Sequence, residues 1–178
     1  MKNPFQSRTK PRGPVFARIA VPRDADPAEK GYAFEQFIVS MFDHESYFTL
    51  LEWRSDKKLG KITPLSNCHP DLELEFEFKG IRQTFAIECK YQHFLPAGQF
   101  AWAKEKQLSN YRQFALNKNI PVFVVLGYGG NAGIPEELYC IPLAQLASIY
   151  IDAQFLAPFR HHNLLQRFFF NTVTNSLT

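Results

Sequence analysis

Asp71 follows Pro70, and 17 residues later Glu88-Cys89-Lys90 sets a second carboxylate two positions from an ammonium group. Two hard oxygen donors suit a hard divalent cation such as Mg²⁺, which keeps several waters and acidifies one of them into a nucleophile. A lysine beside such a site can hold that water or offset charge developing on a phosphoryl group. Together, the three residues suit phosphodiester hydrolysis, with Mg²⁺ the expected cofactor and Mn²⁺ its substitute.

This chemistry requires Asp71 and Glu88 to meet, and the local pattern predicts that they do. Residues 71–78 (Asp-Leu-Glu-Leu-Glu-Phe-Glu-Phe) alternate strictly between acid and apolar, residues 81–92 alternate as well, and Lys79-Gly80 separates the two. Two-residue loops containing glycine are the favoured hairpin connection. The resulting register places Glu77 opposite Arg82, Glu75 opposite Thr84 and Asp71 opposite Glu88 on one face, with Lys90 and Gln92 continuing that face. On this reading Glu73, Glu75 and Glu77 form a solvated strand face.

Upstream, Asp26-Pro27 followed by Glu29 is a helix start, and the helix is predicted to run to about Asp43. Phe34, Phe37, Ile38, Met41 and Phe42 form its buried stripe, and Glu35 projects at the edge of that stripe, where a carboxylate can reach inward. Residues 47–54 read as a strand, followed by a polar loop with Lys57, Lys58 and Lys61. Beyond the hairpin, residues 101–117 read as a second helix on which Gln107 precedes Tyr111 by one turn. Residues 121–126 and 138–141 read as strands, residues 142–150 as a third helix and residues 164–170 as a terminal helix. The element order αβββαββα predicts an α/β (α+β) fold with a central mixed sheet flanked by helices.

Composition bounds the class. In 178 residues, 46% hydrophobic content excludes a disordered chain, and the formal charge is only +3. That balance hides a gradient: residues 1–23 carry +6 and four prolines, residues 24–105 carry −5. We read 1–23 as a basic extended arm suited to polyanions and 24–178 as one domain. No apolar run reaches membrane-spanning length and no secretory core is visible, so no membrane partner is expected. Three widely spaced cysteines without a CxxC pair suit a reduced, cytoplasmic compartment and do not supply zinc spacing.

Gly31-x-x-x-Glu35, Pro70-Asp71, Glu88-Cys-Lys90 and Gln107-x-x-x-Tyr111, taken together over roughly residues 27–145, resemble the PD-(D/E)XK nuclease superfamily. Gln107-x-x-x-Tyr111 is similar to the motif after the catalytic strand in RecB-like members, and Glu88-x-Lys90-x-Gln92 to resolvase-like and type IV restriction members. The resemblance implies the restriction-endonuclease-like fold and a nuclease acting on DNA. Asp71, Glu88 and Glu35 would bind metal, with Glu35 as an outer or second-metal ligand. Lys90, in a set with Gln92, would position the attacking water, leaving a 5′-phosphate and a 3′-hydroxyl. Gln107 and Tyr111 would contact nucleic-acid backbone or brace the site. The RecB-like upstream histidine has no firm counterpart; His69 is the nearest stand-in. Lys57, Lys58, Lys61, Lys104, Lys106 and Arg112 are the expected phosphate contacts, none of which confers sequence specificity.

Two other classes stay open at this point. One is a DNA-binding module on the same fold with weak or no turnover. The other is a sugar hydrolase using Asp71 and Glu88 as an acid/base pair, which leaves Lys90 without a role. The residues leave the oligomeric state open, a homodimer included.

Overall fold

The computed structural model describes residues 21–22, 24–43, 45–54, 68–95 and 98–178. Nearly all of the basic arm at 1–23, together with Lys57, Lys58 and Lys61, lies outside the described residues. Among those described, no helix is long and apolar enough to cross a membrane.

Helix α1 (Pro27–Ser40) begins as the sequence predicts: the Asp26 side chain accepts from the Glu29 amide at 2.8 Å and the Glu29 carboxylate accepts from the Asp26 amide. Strands β1 (Phe48–Trp53), β2 (Leu72–Phe78) and β3 (Ile81–Gln92) follow. Short β4 (Gln99–Ala101) precedes α2 (Glu105–Lys118), and then come β5 (Val122–Tyr128) and β6 (Glu137–Pro142). The main sheet runs β1-β2-β3-β5-β6 and is antiparallel except for the β3/β5 pair. A parallel neighbour requires a crossover, and α2 is that crossover.

The hairpin register is the expected one. Phe78 pairs with Ile81, Glu77 with Arg82, Glu75 with Thr84 and Leu72 with Ile87, with no bulge, and Lys79 and Gly80 both take the positive φ that a tight two-residue turn demands. Asp71 lies one residue before this ladder. The pleat sends Leu72, Leu74, Phe76, Phe85 and Ile87 into a core under α1, while Ala86, Val122, Val124 and Leu126 pack under α2 with Leu108, Tyr111 and Phe114.

Strand β1 carries an irregularity that its sequence does not announce. Its pairing with β2 shifts between Leu50 and Glu52, so that Glu52 faces Glu73 and Trp53 faces Leu72. One extra residue reverses the facing of everything after it. Trp53 thereby turns toward α1, and Arg54 turns toward α2.

Several elements differ from the sequence reading, beginning with α1, which ends at Ser40 rather than near Asp43. The second helix starts at Glu105 rather than Ala101, because Gln99–Ala101 pairs with β7 (Tyr150–Asp152) and Trp102 Nε1 donates to the Ser148 carbonyl at 3.0 Å. The helix expected over 142–150 is a single 3-10 turn at Leu143–Gln145, since Tyr150 is drawn into that same pairing. The expected terminal helix is absent among the described residues. A one-turn α3 (Ala153–Leu156) lies earlier, and β8 (Phe170–Asn171) pairs with β9 (Ser176–Leu177). Here Phe168 and Phe170 point inward and Phe169 outward, a period of two, and Phe170 stacks on Phe85 with centroids 4.9 Å apart.

Candidate active site

Because β3 is one uninterrupted strand, Glu88, Lys90 and Gln92 share its α2 face. Glu88 is buried, 1% exposed, and its Oε1 is doubly held: Lys90 Nζ lies 2.5 Å away and the Tyr111 hydroxyl donates to it at 2.7 Å. The other oxygen, Oε2, is buried without a hydrogen-bond partner. An unsatisfied carboxylate oxygen inside a protein is costly, and a cation is one partner that would satisfy it.

Asp71 joins this group from the start of β2. Its Oδ2 accepts the Cys89 amide at 2.7 Å, which brings the carboxylate against the strand carrying Glu88. Burial pushes the Asp71 carboxyl well above its usual value, the negative charges of Glu88 and Glu35 push the same way, and Lys90 and the Cys89 amide oppose them. Buried carboxylates crowded together in this way are concentrated at functional sites. The Cys89 thiol, pushed up by burial and by the same carboxylates, is unsuited to act as a nucleophile.

Glu35 is drawn inward as its position on α1 predicts. Its Oε2 accepts from Trp53 Nε1 at 2.6 Å, and its charge acts on Asp71. Among the described residues no three His, Cys, Asp or Glu side chains converge as a cation cage. The donor set still fits a hexacoordinate hard cation, since Mg²⁺ is usually held by one or two carboxylates with waters completing its shell. Asp71 and Glu88 would supply those carboxylates.

The remaining predicted residues separate. Tyr111 reaches the centre as a brace for Glu88. Gln92 Nε2 donates to the Ala101 carbonyl at 2.9 Å, tying β3 to β4, while its buried Oε1 has no partner. Gln107 lies at the start of α2, where its Oε1 accepts the Lys104 amide at 3.0 Å. Arg112 donates to the Leu146 carbonyl at 2.8 Å, whereas Lys104 and Lys106 are exposed. His69 is exposed and packs its ring 5.1 Å from Phe114.

Two participants are not evident from sequence. Arg54 Nη1 donates to the Pro70 carbonyl at 2.9 Å and its backbone amide donates to the Asp71 carbonyl at 2.7 Å, so one residue grips both positions of Pro70-Asp71. Glu73, expected on a wet face, is instead buried: it accepts from Arg54 Nη2 at 2.9 Å and from Lys118 Nζ at 3.0 Å. Burial alone raises the Glu73 carboxyl, but these two cations outweigh it and hold the group below its ordinary value. The Glu77–Arg82 pair does form as expected, at 2.9 Å, but in solvent.

Asp71 and Glu73 thus respond to pH with opposite signs. Folded Asp71 holds its proton more tightly than the unfolded chain does, so its contribution is present below the ordinary carboxylate pKa of about 4 and is lost as pH rises through the raised folded value. The Glu73 contribution is present above its unfolded value and is lost as pH falls through its lowered folded value. Thermal melts in chelator are expected to show Asp71→Asn raising Tm at neutral pH and flattening the decline that begins above about pH 4. An unchanged or lower Tm at neutral pH would contradict the crowding of charge.

No protein-family model matches the sequence, and no curated protein matches it. A five-stranded mixed sheet with one helix on each face, entered by α1 and crossed by α2, is a restriction-endonuclease-like fold. Among solved structures it matches Hjc, a Holliday junction resolvase from the archaeal hyperthermophile Archaeoglobus fulgidus, with a TM-score of 0.50 and 17% identity over 73% of this chain and 93% of that one. At that identity the likeness is one of fold.

Proposed function

We propose that this protein is a divalent-metal-dependent phosphodiesterase that hydrolyses DNA. The observation that carries the reading is Glu88: a carboxylate with one oxygen clamped by Lys90 and Tyr111 and the other buried without a partner, beside the buried Asp71 carboxylate. The fold, and its likeness to a protein described as a Holliday junction resolvase, favour nucleic acid as the phosphodiester.

A divalent cation held by Asp71 and Glu88 would supply an acidified water and charge neutralisation at phosphorus. Lys90 orients the attacking oxygen and offsets charge on the phosphoryl oxygens as the bond to the 3′-oxygen breaks; the water gives up a proton to solvent and the leaving 3′-oxygen takes one from solvent, leaving a 5′-phosphate and a 3′-hydroxyl. Tyr111 keeps the Glu88 carboxylate from rotating, and the Cys89 amide does the same for Asp71. Glu35 adds negative charge behind Asp71, favouring a bound cation. Exposed Lys104 and Lys106 are suited to phosphate contacts.

The test is incubation with plasmid and with single-stranded DNA in Mg²⁺, in Mn²⁺ and in EDTA. Cleavage is expected with either metal and none in EDTA. Salt-sensitive DNA binding without cleavage under every condition would identify a non-cleaving module on the same fold.

A further inference from the structure

On the α1 side of the carboxylates lies a surface that the proposed chemistry leaves unused. The Tyr32 and Trp53 rings stack with centroids 5.4 Å apart and planes 17° apart, and Tyr32 is 40% exposed. A single exposed aromatic is ordinary on a protein surface. This one rests on a second ring that is locked to the site, since Trp53 Nε1 donates to Glu35 Oε2 at 2.6 Å.

Gly31, one helical turn before Glu35, adds an independent observation. It lies inside α1, and a Cβ built on it would meet nothing within 4 Å. Glycine inside a helix is unfavourable relative to alanine. Neither packing nor a positive φ calls for it here. What it leaves is a bare strip of helix surface that a ligand's backbone can approach closely. Lys30, the preceding residue, lines a cavity of about 190 Å³ with Tyr91, His93 and Phe94.

We propose that the first turns of α1 form a single-strand subsite, in which an unpaired nucleobase of the DNA stacks on Tyr32 while the sugar-phosphate backbone crosses Gly31. The assignment rests on the phosphodiesterase reading and narrows its substrate class. Inside a duplex both faces of a base are covered by its neighbours, so a ring platform selects a nucleotide that is unpaired or unstacked. The favoured substrate is DNA with an unpaired nucleotide next to the cleaved bond.

The test measures binding in EDTA, where cleavage plays no part, using fluorescence anisotropy with a labelled single strand and a blunt duplex. Tyr32→Ala is expected to weaken single-strand binding about 10-fold and leave duplex binding unchanged, and Tyr32→Phe to restore it. Gly31→Ala is expected to raise Tm by a few degrees while weakening single-strand binding several-fold, opposite signs that a purely structural role does not produce. Equal losses for both DNA forms, no loss with Tyr32→Ala, or a Gly31→Ala variant that binds as the wild type does would overturn the proposal. Because no turnover is read, a protein that never cleaves DNA would sink the phosphodiesterase reading and leave these binding results standing.

Discussion

Replacing Lys90 by alanine is expected to lower metal-dependent DNA cleavage by about 10²- to 10³-fold, the range found when one preorganised charge-stabilising donor is removed from an active site. Lys90 is the cation that touches Glu88, at 2.5 Å, and its side chain remains 29% exposed, positioned to meet a substrate phosphate as well. Its loss removes transition-state stabilisation and leaves Glu88 Oε1 held by Tyr111 alone. Lys90 also compensates the buried Glu88 carboxylate, so Tm is expected to fall as well, and rates are compared well below the melting temperature of the variant. Lys90→Arg keeps the charge but not the compact ammonium, so it recovers only part of the rate. Rates measured on plasmid DNA with saturating Mg²⁺ decide the matter. Cleavage that survives Lys90→Ala at the wild-type rate, or that persists in EDTA, would refute the assigned chemistry.

Arg54→Ala is expected to cost about 3 kcal/mol of folding stability, the low end of the range for breaking a buried ion pair, because Lys118 still compensates Glu73 while the Pro70 carbonyl loses its donor. Set against the roughly 5–15 kcal/mol that holds a typical domain together, this is a large fraction of the whole. The cost is high because both partners are shielded: the Arg54 and Glu73 side chains are 6% and 8% exposed. By contrast the Arg82–Glu77 pair, at 65% and 50%, is worth at most about 1 kcal/mol. The variant also strips the Pro70 carbonyl of its donor, and the segment carrying Asp71 loosens. Cleavage is therefore expected to fall further than the unfolded fraction explains. Chemical denaturation supplies the stability and single-turnover rates the activity. Arg54→Lys cannot span the Pro70 carbonyl, Glu73 and Glu52 together as the guanidinium does, and recovers part of each loss. A loss below about 1 kcal/mol would show that the pair behaves as a surface pair.

The legible parts of this molecule are those governed by short-range rules. The Asp26 cap and the proline after it specify the start of α1. Strict alternation on both sides of Lys79-Gly80 specifies the hairpin and its register, because a one-residue slip would expose Leu72, Leu74 and Phe76 together. That register delivers the β2 start to the strand carrying Glu88. Glu35 was likewise placed by helical periodicity alone, as a carboxylate able to reach inward.

Other features depend on residues far apart in the chain, and local pattern carries no trace of them. Glu73 looks like a solvated strand acid in its own alternating segment, and it is buried because cations arrive from 19 residues before it and 45 after it. The pairing shift in β1 is invisible in Phe48–Trp53, yet it aims Trp53 at Glu35 and Arg54 at Pro70. The segment before α2 carries enough apolar residues for a helix, and its distant partner strand β7 makes it extended. Periodicity and turn chemistry determined which residues can do chemistry and the strand register that brings two of them together. Tertiary structure alone decided which other side chains hold them there, because burial and charge compensation belong to pairs of distant residues.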